Sequence, residues 1–167
     1  IDRDQEAADK GKAYSATYMD KGIARKKATL EKKEALLSLI TATPDVEMLK
    51  GCDLIIEAVY EDPAVKAEIT KRVEAVIPVD CIFASNTSTL PISELAKASS
   101  RPEQFIGIHF FSPVEKMLLV EIIKGDQTDD VAVAKSLDYV RQIRKTPIVV
   151  NDARFFYANR CIIPYGN

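Results

Sequence analysis

Short apolar runs alternate with amphipathic helical periods about five times along this chain, and that alternation limits the fold more than any other feature. Runs of strand length occur at 53–60, 81–84, 105–109, 118–123 and 148–150. Between the first two, Val65, Ile69, Val73 and Val76 recur at helical spacing behind Pro63, a residue tolerated in a first turn. Two more helices are predicted at 92–98 and from Val133, Leu137, Val140 and Ile143, and a last one at 155–163. Ahead of these, Ala7, Gly11, Tyr14 and Tyr18 line one helix face, which Asp2 or Asp4 can cap. A charged helical segment follows at 25–39, and 40–43 reads as a short β-prone stretch ended by Pro44. Strand and helix in alternation, without repeats, predict an α/β fold with a doubly wound, mostly parallel sheet. In such sheets ligands sit at the carboxyl ends of the strands.

Composition narrows the function classes. The 167 residues carry 23 Lys and Arg against 25 Asp and Glu, a net charge of −2, so there is no basic footprint for nucleic acid. The one basic cluster, Arg25 to Lys27 with Lys32 and Lys33, is interleaved with Glu31 and Glu34 and reads as a solvated helix face. No apolar run approaches the ~20 residues of a membrane span, and no secretory signal is visible. Cys52, Cys81 and Cys161 are far apart and form no Cys-x-x-Cys pair. That argues against a disulfide scaffold and structural zinc, leaves no metal site expected, and favours a reducing compartment. The chain begins at Ile1 without an initiator Met and stops just after a helix-like run, so it reads as a piece of something longer.

Polar residues directly after apolar strands would line the crevice. Three places qualify: residues 57–66 after Leu54, Ile55 and Ile56; Ser85, Asn86, Thr87 and Ser88; and His109. His109 is the sole histidine, so proton transfer through an imidazole near neutral pH must use it. Glu121, on the next predicted strand, can return to orient the ring. On these residues alone, a packed core histidine, a helix-capping Ser/Thr run and a water-facing Glu121 are equally open readings.

Taken together, the Ser85–Leu90 run SNTSTL, the Gly107–Val114 run GIHFFSPV, Val120 with Glu121, and Asn159 with Arg160 closely resemble the L-3-hydroxyacyl-CoA dehydrogenase family. The resemblance spans nearly the whole chain. The runs SPVEKM from Ser112 and KTPIVVND from Lys145 look like the dehydrogenase region of the multifunctional fatty-acid oxidation enzymes, in which a hydratase domain precedes it. The resemblance implies a Rossmann-like NAD-binding domain over 1–150 and the start of a helical domain over 151–167. It also implies truncation at both ends, since the family's first strand and Gly-x-Gly-x-x-Gly turn would precede Ile1. The implied activity is NAD-dependent oxidation of 3-hydroxyacyl-CoA in fatty-acid β-oxidation, weak in a fragment of this length.

By position, the resemblance makes His109 the base, Glu121 its partner, Ser88 a contact of cofactor and substrate oxygen, and Asn159 a substrate donor. Asp2 would hold the adenosine ribose. Val59, Tyr60, Glu61 and Lys66 would lie along NAD, with Lys66 reaching CoA or the nicotinamide end. Ser112 stands where relatives often carry Asn against the nicotinamide, and Phe155 where they usually carry Gly, a poor exchange if that backbone is left-handed. Acyl-CoA as substrate, a homo-oligomer or thiolase partner for the whole protein, and a cytoplasmic (bacterial) or organelle-matrix location are implied likewise. Rival readings are a related dehydrogenase of a small hydroxy acid and a non-catalytic cofactor-binding protein.

Overall fold

The structure is a computed structural model in which residues 1–165 are described. They fall into two compact units, the first ending at Met48 and the second starting at Leu49. The first unit is helical: α1 (Gln5–Ala24) packs on α2 (Leu30–Ser38). Asp4 caps α1 by accepting the Ala7 N–H at 2.8 Å, and Thr29 caps α2 by accepting from Lys32. Lys33 pairs with Asp20 at 2.6 Å across the two helices. The β-prone stretch 40–43 forms no strand. Its one ladder-like contact is the Asp2 N–H donated to the Thr43 carbonyl at 3.3 Å, and a strand needs a paired neighbour.

The second unit is a five-stranded sheet in chain order, β1 (Leu54–Glu57), β2 (Ile82–Ser85), β3 (Phe105–Phe110), β4 (Leu119–Lys124) and β5 (Thr146–Asn151). β1, β2 and β3 are parallel and joined through α3 (Pro63–Glu74) and α4 (Ile92–Ala96). β4 runs antiparallel to β3, and α5 (Asp130–Gln142) returns the chain to a β5 parallel with β4. The sheet is therefore mostly parallel, as the alternation predicts, with one reversal. Caps follow the sequence: Asp62 accepts from Ala64 and Val65 ahead of α3 with Pro63 in the first turn, and Asp129 accepts from Ala132 ahead of α5.

Side chains alternate across a sheet, so each strand feeds two layers. Ile82, Ala84, Ile106, Ile108, Val120 and Ile122 face α5 and pack on its Ala132 and Val140. The opposite face carries Phe83 stacked on Phe105 at 5.3 Å, with Ile92 of α4 lying over Gly107 and Ile123. Toward the carboxyl ends of β1–β3 this second face turns polar: Glu57 stands opposite Ser85, and His109 opposite Glu121. The last helix, α6 (Ala158–Ile162), is shorter than the predicted 155–163 because Phe155 and Phe156 are left-handed, at φ 67° and 51°. The predicted start of a further domain at 151–167 includes Gly166 and Asn167, which lie outside the described residues.

Candidate active site

His109 and Glu121 are register partners on the antiparallel β3–β4 pair, which puts both side chains on one face. The result is a 2.7 Å contact between Nδ1 and Glu121 Oε2, with the two side chains 5% and 0% exposed. The other carboxylate oxygen, Oε1, accepts the backbone N–H groups of Tyr157 at 3.0 Å and Ala158 at 2.7 Å. Burial alone would push the Glu121 carboxyl up. The bonds from His109, Ala158 and Tyr157 outweigh it and hold the group below its ordinary range. A charged Glu121 can only accept, so Nδ1 carries a proton, and in the neutral form of the ring Nε2 has the lone pair. No described group hydrogen-bonds Nε2. The rings of Phe111 and Phe156, 4.5 and 5.7 Å from the imidazole, fix its plane. The left-handed pair at 155 and 156 turns the chain so that Phe156 is buried and the next two N–H groups meet Glu121.

The Ser/Thr/Asn loop after β2 is tied to the same region. Asn86 Oδ1 accepts the Phe110 N–H at 2.9 Å, joining the loop to the end of the histidine strand. Glu61 Oε1 accepts from Thr87 Oγ1 at 2.5 Å, the Ser88 N–H at 2.9 Å and the Thr89 N–H at 3.3 Å. Burial raises the Glu61 carboxyl, but the Thr87 hydroxyl, the Ser88 N–H and the Lys66 charge together bring it below its ordinary range. Asn159 Nδ2 donates to the Ser88 carbonyl at 3.1 Å, so α6 and this loop meet. Ser88 is exposed, and its hydroxyl has no partner among the described residues.

His109, Glu121, Ser88, Asn159, Glu61 and Lys66 are thus joined by short contacts into two linked clusters. Val59 donates its N–H to Glu57 and its carbonyl accepts from Lys66, while Tyr60 is 81% exposed beside it. Lys66 does not point outward: it is 2% exposed and its ammonium lies 2.7 Å from Glu57. Ser112 is exposed and makes no hydrogen bond among the described residues. Asp2 belongs to the other unit, where its carboxylate accepts the Arg3 N–H at 2.7 Å. Two polar residues of the crevice-lining stretches receive no individual role from sequence, Glu57 and Ser85. Each is the last residue of a buried strand and shares the inner face with His109, a parity that the strand pattern could have signalled.

An imidazole backed by a buried acid, with hydroxyl and amide groups around the carboxyl ends of a mostly parallel sheet, is an arrangement suited to general acid–base chemistry. The profile of the family described as 3-hydroxyacyl-CoA dehydrogenase, NAD binding domain, matches residues 1–153, and the chain belongs to that family. Among curated proteins it is 46% identical over 161 residues to the fatty acid oxidation complex subunit alpha of Idiomarina loihiensis, covering 96% of this chain and 22% of that one. Identity to the same subunit of Shewanella sp. (strain W3-18-1) is 44% over 155 residues, covering 93% and 22%. Among solved structures, the (S)-3-hydroxybutyryl-CoA dehydrogenase PaaH1 from Ralstonia eutropha superposes with a TM-score of 0.96 at 37% identity, over 99% of this chain and 58% of that one. FadB2 of M. tuberculosis gives 0.93 at 31%, over 98% and 58%. The chain therefore spans 22% of the length of the curated relatives it matches. The likeness to multifunctional fatty-acid oxidation enzymes, read from the runs at Ser112 and Lys145, is borne out, as is the Rossmann-like α/β fold.

Proposed function

We propose that this chain contributes the NAD-binding domain, residues 1–150, of an enzyme that oxidises L-3-hydroxyacyl-CoA to 3-ketoacyl-CoA in fatty-acid β-oxidation. The observation that carries the reading is the 2.7 Å His109–Glu121 contact, which leaves Nε2 without a partner among the described residues at the carboxyl end of the sheet. His109 Nε2 takes the proton of the 3-hydroxyl group. Glu121 holds the tautomer and stabilises the imidazolium that forms. Ser88 and Asn159 supply a hydroxyl and an amide to an oxygen changing from alcohol to carbonyl.

The residues fit a nicotinamide cofactor at the loops after β1 and β2, where Tyr60 and Ser88 are exposed and backbone groups are fixed by Glu57 and Glu61. Val59, Tyr60, Glu61, Lys66, Ser88 and Ser112 would hold the nicotinamide half and Asp2 the adenosine ribose. Bound NAD supplies the hydride acceptor. Lys66 serves that half through Glu61 rather than by reaching out to it, because its ammonium is occupied inside the protein.

For the whole protein, acyl-CoA is the substrate and a partner subunit of thiolase type, or a second copy, completes the assembly. The relatives' own name, subunit alpha of a complex, supports an assembly. Among the described residues no helix is long and apolar enough to cross a membrane. The kinship with bacterial fatty-acid oxidation proteins supports a cytoplasmic site of action.

The test is His109→Gln in the complete polypeptide. Turnover of 3-hydroxyacyl-CoA should fall roughly 100- to 10,000-fold while NADH binding persists. Undiminished turnover would remove the base assigned here, and preference for free hydroxy acids over CoA thioesters would redirect the substrate.

A further inference from the structure

Glu57 takes no part in the proton transfer proposed above, yet its carboxylate carries three hydrogen bonds. Oε1 accepts from Lys66 Nζ at 2.7 Å and from the Val59 N–H at 2.7 Å, and Oε2 accepts from Ser85 Oγ at 2.8 Å. The Glu57 and Lys66 side chains are each 2% exposed. Lys66 spends its donors inside the protein: on Glu57, on the Val59 carbonyl at 3.2 Å, and toward Glu61 Oε2 at 3.3 Å. Of the three charged groups, Glu61 is the one open to solvent, 38% exposed, and its other oxygen gathers Thr87, Ser88 and Thr89. A path of charge-assisted contacts thus runs from the last residue of β1, through α3, to the backbone of Ser88.

An ammonium taken out of water needs its charge matched at close range. Here two carboxylates flank it, and the nearer is the buried one. That division of labour matters for the loop after β2. With Glu57 charged, Lys66 rests against the sheet and Glu61 is left to hold the amides of Ser88 and Thr89. Without that charge, Glu61 is the one carboxylate left beside Lys66, and the ammonium draws it off those amides. Little else fixes Ser88: its side chain has no partner among the described residues, and its carbonyl has only Asn159.

We propose that Glu57 is a positioning residue, which keeps Lys66 on the sheet side and thereby sets the backbone of Ser88 where cofactor and substrate oxygen are held. Glu57 touches neither of them. The inference deepens the proposed function and rests on the cofactor role given there to the Ser88 loop.

Glu57→Gln in the complete polypeptide keeps the side-chain shape and one acceptor while removing the charge. Without any ligand, amide hydrogen exchange should quicken about ten-fold at Ser88 and Thr89 and stay unchanged at Ile106 and Ile108 of β3. In steady-state kinetics the KM for NAD should rise about ten-fold, with kcat within about two-fold of the parent. Ser85→Ala, which frees Oε2 without altering any charge, should move the same amides the same way by about three-fold and keeps the test open should Glu57→Gln fail to fold. Unchanged exchange at Ser88 and Thr89 overturns the proposal. Uniform quickening across β1–β3 also overturns it, since that marks plain destabilisation. If the parent polypeptide proves inert toward NAD and 3-hydroxyacyl-CoA, the functional reading falls, and the exchange measurement still decides the role of Glu57.

Discussion

Gly107 lies directly beneath Ile92: a Cβ on the glycine would stand 2.8 Å from Ile92 Cδ1, and 2.9 Å from Ile123 Cβ. The missing side chain lets Ile92 of α4 settle over Gly107 and Ile123, in the register row of Glu57 and Ser85 and two residues before His109 on β3. Gly107→Ala should therefore lower stability by roughly 1–3 kcal/mol through overpacking. Chemical denaturation checks this, and an unchanged midpoint would mean that Ile92 yields freely.

Both oxygens of Glu121 are in use as acceptors, one toward His109 and one toward the Tyr157 and Ala158 amides. Glu121→Gln sets its NH2 group either against the Tyr157 and Ala158 N–H groups or against His109 Nδ1, where the ring must take the other tautomer with its proton on Nε2. A stability loss of about 2–4 kcal/mol is expected. In the complete polypeptide, turnover should fall by roughly 100-fold or more, because the imidazolium loses its counter-charge. Denaturation and steady-state kinetics on the same variant test the two effects separately.

The lowered Glu121 carboxyl also makes a statement about acid. Its folded value lies below the ordinary 4.5, so the unfolded chain binds its proton first as pH falls. The stabilisation is fully present above about pH 4.5 and is lost as pH drops through the folded value. The stability gap between the parent and Glu121→Gln should accordingly be constant near neutrality and narrow below about pH 4.5. Urea unfolding of both proteins across that range measures it, and a gap of constant size would contradict the assignment.

Arg144 closes α5 in a left-handed conformation at φ 60°, its N–H donating to the Arg141 carbonyl while the Lys145 N–H donates to Val140. This is the Schellman arrangement, and it favours a residue without a Cβ. Arg144 is exposed and its guanidinium has no partner among the described residues. Arg144→Gly should raise stability by about 1 kcal/mol. Thermal unfolding gives the sign directly.

Much of this architecture can be read from the chain. The five strands of the second unit fall within a residue or two of their apolar runs, apart from the end of 53–60, where β1 stops three residues earlier, because a run buried on both faces is continuous in sequence. The reversal of β4 left no such mark: its residues are as apolar as those of a parallel strand, and direction is set by the connection rather than the composition. Stretch 40–43 has strand-like residues without a ladder partner among the described ones. His109 and Glu121 stood out as a lone histidine and an acid within an apolar run. Lys66 reads from sequence as reaching outward to CoA or the nicotinamide end, since a lysine behind a Pro-containing first turn looks solvent-facing until the carboxylate of Glu57 is placed beneath it. The amides of Tyr157 and Ala158 are backbone groups and could be found only in coordinates.

The reversal of β4 has a further consequence. Because the two strands are locked by their own ladder, imidazole and acid stand directly opposite each other only in the observed alignment, and sliding β4 by a single position would turn Glu121 toward α5 and bring an isoleucine or valine up in its place. The His109–Glu121 contact is therefore all-or-none with respect to strand pairing: no half-slipped sheet retains a weakened version of it.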